Sequence, residues 1–261
     1  MAVAIAQRQA GAARLRQWNL AMGALHFIQG VGMLALASSF ALPVTAAFVV
    51  MDPESGGLEP DLRTLFDVRL GPVIASFLFL SAVAHLAVSL PRTYRWYTSN
   101  LAKGINYARW VEYSLSSSVM IVAIGMIVGI YDVAALIGLF GLNAMMIFCG
   151  WMMERHNQLT ARVDWTSYVF GCFAGALPWV AIFIYLIGAG GQDGGPPTFV
   201  YAIFVSIFAF FNVFALNMFL QYRKLGPWRS YLFGEKAYLI LSLTAKSALA
   251  WQVYAGTLQP S

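Results

Sequence analysis

The chain contains seven long apolar runs, and short segments rich in polar residues, glycine or proline separate them. Each run has about 20 residues, the length that an α-helix needs to cross the hydrocarbon core of a bilayer. Only 10% of the 261 residues are charged, whereas soluble domains carry about 25% charged residues. The sequence therefore predicts a membrane protein in contact with lipid. The net charge of +5 does not indicate a nucleic-acid-binding protein in so apolar a chain.

The apolar runs predict an all-α fold, in which residues 1–261 form a single domain, a seven-transmembrane-helix bundle. The helices are expected near residues 19–40, 68–90, 102–128, 131–153, 166–189, 198–222 and 232–257. The longest connection, residues 41–67, contains an apolar stretch. We expect this connection to form an ordered cap over the bundle.

Basic residues are distributed unevenly between the two sides of the predicted bundle. If the N-terminus is cytoplasmic, most of the 16 basic residues lie in cytoplasmic segments, and Arg63 and Arg69 lie in extracellular ones. Short cytoplasmic loops retain Lys and Arg. We therefore predict a multi-pass protein of the cell membrane with a cytoplasmic N-terminus, an extracellular C-terminus and an extracellular cap.

Two ionisable side chains fall deep within the predicted helices, Glu112 in the third and Lys246 in the seventh. An ionised side chain at the bilayer centre costs about 2.5 to 3.5 kcal/mol, so we expect the two to face each other. One interpretation is a buried ion pair that only fixes helix register. The other is that the Lys246 amine becomes nucleophilic in an apolar pocket and condenses with an aldehyde. Glu112 would then be the counterion of the protonated Schiff base.

The segments around these two residues are RWVEYSLSSS at residues 109–118 and LSLTAKSALAWQ at residues 241–252. Both closely resemble heliorhodopsins, and the resemblance runs along essentially all seven helices. It implies a rhodopsin-like bundle with a cytoplasmic N-terminus, which agrees with the charge distribution. It also implies a homodimer and all-trans retinal bound covalently to Lys246 as a protonated Schiff base.

Polar residues near the depth of Glu112 predict a proton-accepting cluster on the cytoplasmic side. Its members are expected to be His26, His85, Ser81 and Asn106. Ser116 and Ser242 are predicted neighbours of the Schiff base, since each lies four residues from Glu112 or Lys246 on the same helix face. No metal site is predicted, because the histidines lack a supporting ligand spacing.

A polyene needs flat aromatic and thin aliphatic walls. Residues at matching depth predict the retinal pocket: Tyr113, Met120, Met146, Gly150, Pro178, Trp179 and Phe211. Each of them is equally compatible with ordinary helix packing.

The predicted function is light sensing without net ion transport. Ordinary microbial proton pumps carry carboxylates at positions that hold Ala123 and Ser242 here. We expect all-trans to 13-cis isomerisation of the retinal, internal proton transfer to the cluster and a signalling output through an unidentified cytoplasmic partner. A light-driven ion transporter or channel is the main alternative, and a non-photoactive receptor or transporter is another. An enzyme is not expected, because no nucleophile and base or metal motif projects from a loop.

Overall fold

The computed structural model describes residues 2–190 and 195–258, with side chains from residue 14 onward. Within these ranges the chain is mostly helical and has one β-hairpin. The helices are α1 (Ala2–Leu36), α2 (Leu70–Ser89), α3 (Pro91–Ala102), α4 (Tyr107–Ile127), α5 (Val133–His156), α6 (Thr166–Gly190), α7 (Thr198–Tyr222) and α8 (Tyr231–Val253). The strands are β1 (Ala41–Met51) and β2 (Leu58–Arg69).

Six of the eight α-helices in the described ranges are long and apolar enough to cross a membrane. They are α1 from Arg14 onward, α2, α4, α5, α6 and α7. Helix α3 is too short, with 12 residues. Helix α8 has 23 residues but contains Glu235, Lys236 and Lys246, which lower its hydropathy. The seven crossings and their orientation therefore stay predictions.

The predicted all-α fold is wrong for residues 41–67, since this connection lies almost entirely in an antiparallel hairpin. β-Branched residues such as Val44 and Thr45 favour strands, and Asp52 closes the turn by accepting hydrogen bonds from the amides of Glu54 and Ser55. The amide of Thr45 donates to the Tyr131 carbonyl at 2.9 Å. The hairpin is therefore ordered and is attached to the connection before α5.

The first and third predicted helices begin at other residues than predicted. Helix α1 begins at Ala2 rather than at residue 19, because its alanine-rich first turns are good helix formers. The third predicted helix, α4, begins at Tyr107 rather than at residue 102, and residues 91–102 form the separate helix α3. Gly104, with a φ of +78°, follows it, and the Asn106 side chain caps α4 by accepting from the Arg109 amide.

Helix α4 runs through the middle of the bundle and positions the candidate site. It contacts α2, α5, α6 and α7, while α8 contacts α1, α2 and α7. The buried face of α4 carries Arg109, Glu112 and Ser116, whose spacing of three or four residues places them one above the other. This face is directed towards the other helices rather than towards lipid.

Candidate functional site

Lys246 on α8 and Glu112 on α4 form a buried ion pair. The lysine Nζ donates to the Glu112 Oε1 at 2.7 Å, and the two residues are 3% and 8% exposed. Lys246 also donates to the Ser242 Oγ at 2.9 Å, and the Ser81 Oγ donates to the Glu112 Oε1 at 2.6 Å. The contact that the sequence predicts is therefore present, and hydroxyl groups complete the hydrogen bonding of both charges.

Helical spacing brings the remaining polar side chains to this pair. Ser242 lies one turn before Lys246, and Ser116, fully buried, lies one turn after Glu112. On α2, Ser81 and His85 are four residues apart, so they lie on one face. That face packs against α4.

The two predicted histidines lie together. The rings of His26 and His85 stack with centroids 5.7 Å apart and an interplanar angle of 8°. The Nδ1 of His85 donates a hydrogen bond to the Asn19 Oδ1 at 2.9 Å. Sequence reasoning missed Asn19, although it lies seven residues before His26 and therefore on the same face of α1.

A small cavity lined in part by polar residues adjoins this group. Its volume is about 30 Å³, and its walls include Asn19, His85 and Glu112. About 10 to 15 Å³ suffices for one water molecule when polar partners are present. Asn106, which was predicted to belong to the histidine cluster, lies on another part of the wall and donates to the Glu235 Oε2 at 2.6 Å.

Asn106 thus belongs to a second buried charge cluster, centred on Arg109. The Nη2 of Arg109 lies 2.5 Å from the Glu154 Oε1 and 3.0 Å from the Glu235 Oε1. Both carboxylates are 2% exposed. The Trp110 indole and the Tyr231 hydroxyl also donate to Glu154.

Aromatic rings cover both faces of this arginine. Its guanidinium carbon lies 3.9 Å from the centroid of the Trp110 ring and 4.0 Å from that of the Tyr238 ring. Sequence reasoning missed the two acids of this cluster. The available signal was their position at the same end of the bundle as Arg109, on α5 and α8.

Two cavities adjoin each other, and the first of them borders the lysine. The first is lined by Lys246, Ser242 and Met120 among others, and the second extends to Gly150. Both are lined by Tyr113, Met146, Ile147, Phe211 and Phe214. Their surfaces are almost entirely apolar, as the walls of a site for a hydrophobic ligand would be, and their volumes are about 40 and 90 Å³, below the range typical of small-molecule sites.

Glycine makes room for one of the walls. A Cβ atom on Gly150 would lie 2.6 Å from the Trp110 ring, so only glycine permits this approach of α5 to α4. Pro178 and Trp179, predicted pocket residues, line neither cavity. Trp179 packs behind Phe211, edge to face, at a centroid distance of 5.4 Å.

Similar solved structures identify the fold as that of the microbial rhodopsins. A light-driven proton pump from Leptosphaeria maculans is 13% identical, with a TM-score of 0.64 and coverage of 93% of this chain and 95% of that one. Exiguobacterium sibiricum rhodopsin is 15% identical, with a TM-score of 0.62 and coverage of 95% of each chain.

The transmembrane domain and linker region of Salpingoeca rosetta rhodopsin phosphodiesterase is 11% identical, with a TM-score of 0.65. Coverage is 96% of this chain and 74% of that one. At such low identities the likeness concerns the fold alone.

A family model then places the chain within this class. The model of the heliorhodopsins matches residues 15–258, and the chain belongs to the heliorhodopsin family. This confirms the resemblance carried by residues 109–118 and 241–252. No curated protein matches the sequence. Membership of the family implies a retinal chromophore and, together with the apolar helices, a membrane protein.

Proposed function

We propose that the protein senses light through all-trans retinal attached covalently to Lys246. The observation that carries this proposal is the buried Lys246 amine, which lies at an apolar cavity and 2.7 Å from a carboxylate. Retinal supplies absorption of visible light and isomerisation from all-trans to 13-cis when its aldehyde is joined to the lysine as a protonated Schiff base. An ion pair that only fixed helix register would not require a cavity beside the amine.

The two adjoining cavities provide the walls for the polyene. Tyr113 and Phe211 supply flat aromatic surfaces, and Met120 and Met146 supply narrow flexible ones. Gly150 extends the same space towards α5. These residues hold and orient the chromophore and exclude water from it.

Glu112 acts as the counterion in this proposal. Its Oε1 accepts from the Lys246 nitrogen and from Ser81, so a fixed hydrogen bond holds the carboxylate in place. Ser242 accepts from the same nitrogen and fixes its position from the side of α8. Such preorganised groups stabilise a cation with little rearrangement.

Glu112 and the polar group beside it would accept the proton that the retinal linkage at Lys246 gives up after illumination. His85 and Glu112 border a cavity large enough for water, and His26 stacks on His85. The proton later returns by the same route. Net transport is not expected, because Ala123 lies in the apolar core and offers no group that carries a proton onwards.

The proposal includes the topology of the chain and its output. Helix α8 is the seventh crossing, since it packs against α1, α2 and α7 and carries Lys246. The N-terminus is cytoplasmic and the C-terminus extracellular, in a multi-pass protein of the cell membrane. The protein forms a homodimer and signals to a cytoplasmic partner, without enzymatic activity of its own.

Addition of all-trans retinal to membranes that contain the protein tests this function. A visible absorption band is expected. A preparation that stays colourless contradicts the proposal and favours a structural role for the ion pair. Illumination of coloured, protein-loaded vesicles should leave the external pH unchanged, whereas a sustained pH change would identify a light-driven transporter.

A further inference from the structure

A larger cavity lies at the end of the bundle where α5 leads into α6 and α7 leads into α8. Its volume is about 380 Å³, within the range of about 300 to 1,000 Å³ that is typical of small-molecule sites. It has no lining residue in common with the two apolar cavities described above. Its basic lining residues are Lys103, Arg162, Lys224 and Arg229.

These four basic side chains have no partner of opposite charge within the described ranges. None of them lies within 4.0 Å of a carboxylate there. Glu154 is the one acid among the described lining residues, and it is already paired with Arg109. Asp164, in the same connection as Arg162, lies 3.2 Å from the His156 Nε2. The cavity therefore has a wall with a large excess of positive charge.

The lining cations are a subset of the basic residues at this end of the bundle. Arg155, Arg223 and Lys236 lie at the same end of the helices but do not line the cavity. The four lining cations come from three separate connections, α3 to α4, α5 to α6 and α7 to α8. Lys224 moreover has a φ of 51°, a left-handed conformation that residues with a side chain rarely adopt.

We propose that this cavity binds a phosphate-bearing anion. The planar guanidinium of arginine matches the oxygens of a phosphate group, and lysine adds a compact positive charge. A cleft lined by one sign of charge also concentrates ions of the opposite sign. The phosphate belongs either to a soluble phosphate compound or to the headgroup of an anionic phospholipid, since both present the same chemistry to the four cations.

Titration calorimetry with inorganic pyrophosphate tests this site on the full chain in phosphatidylcholine nanodiscs. Saturable binding is expected, and Arg162→Gln and Lys224→Gln should each weaken it about tenfold, because each removes a charge-assisted contact. Arg155→Gln removes a charge on the last turn of α5 that does not line the cavity, and it should leave the affinity within about twofold. Melting temperature and gel filtration verify that each variant is folded.

Nanodiscs that contain phosphatidylglycerol distinguish the two sources. If a headgroup is the ligand, this lipid blocks pyrophosphate binding and copurifies with the protein, but less with Arg162→Gln than with Arg155→Gln. If a soluble compound is the ligand, the lipid leaves pyrophosphate affinity unchanged.

Two results would overturn the proposal. One is the absence of saturable pyrophosphate binding together with equal lipid retention in all variants. The other is an equal loss of binding in Arg155→Gln, which would indicate a diffuse surface charge. The measurements need neither retinal nor light, so they succeed or fail independently of the proposed photoreceptor function.

Discussion

Two buried charge clusters lie on the same face of α4, and they differ in what surrounds the cation. Lys246 has one carboxylate partner, Glu112, and lines the first of the two adjoining apolar cavities. Arg109 has two carboxylate partners and lies between two aromatic rings. The lysine therefore adjoins an apolar cavity that suits a hydrophobic ligand, whereas the arginine adjoins the small cavity that also borders Glu112 and His85.

The chemistry of the two cations extends this difference. An arginine stays charged in proteins, so Arg109 serves as a fixed partner that holds Glu154 of α5 and Glu235 of α8 against α4. A lysine amine loses its proton more readily and then acts as a nucleophile. We therefore expect the arginine cluster to hold the helices together and the lysine pair to carry the ligand chemistry.

The largest expected effect is the loss of colour in Lys246→Ala. Without the amine no covalent attachment forms, so the visible band that retinal produces should be absent from the absorption spectrum. Lys236→Ala, which removes another lysine of α8, is the matched control and should keep the band. A coloured Lys246→Ala protein with the same spectrum would refute the attachment site.

The next effect concerns stability rather than colour. Glu154→Ala leaves Arg109 with fewer partners in a buried site, and breaking such a pair costs about 3 to 5 kcal/mol of unfolding free energy. Thermal unfolding of the purified protein measures this loss. Glu54→Ala, in the exposed turn of the hairpin, should unfold like the unmodified chain. Equal stability of both variants would show that the arginine cluster does not hold the helices.

The position of the absorption band should respond to one cluster and not to the other. Glu112→Gln should move the absorption band to longer wavelength, because the carboxylate stabilises the ground-state cation at Lys246. Glu235→Gln neutralises an acid of the other cluster and should leave the band in place. Equal shifts in the two variants would mean that the clusters share the counterion role.

The smallest expected effect lies in the kinetics after illumination. His85→Phe keeps a flat ring beside His26 but removes the nitrogen that forms a hydrogen bond with Asn19. The position of the dark band should change little, while recovery of the dark state after a flash should change in rate. His156→Phe, at the last residue of α5, is the control. Identical recovery in His85→Phe would exclude this ring from the proton route.

The contact between Glu112 and Lys246 was predictable from sequence, because two charged side chains deep in apolar helices are costly unless they pair with each other. Glu154 and Glu235 were not recognised because each adjoins a basic residue, Arg155 or Lys236, and therefore resembles a solvated helix end. Their burial depends on tertiary packing around Arg109. The positions of these helices relative to Arg109 could not be predicted from the sequence.

Depth along a helix was easier to predict than rotation about its axis. Met120, Met146 and Phe211 line the cavities, but Trp179, at a matching depth, lies in the layer behind them. The hairpin was missed because its apolar stretch was interpreted only as a cap. Strand pairing between residues 41–51 and 58–69 is a nonlocal property that this interpretation did not include.

Covalent trapping tests the central claim most directly. Borohydride reduction of the retinal-loaded protein under illumination, followed by peptide mass spectrometry, should find the retinyl group on Lys246. A retinyl group on another residue, or an unlabelled Lys246 in a coloured protein, would contradict the account.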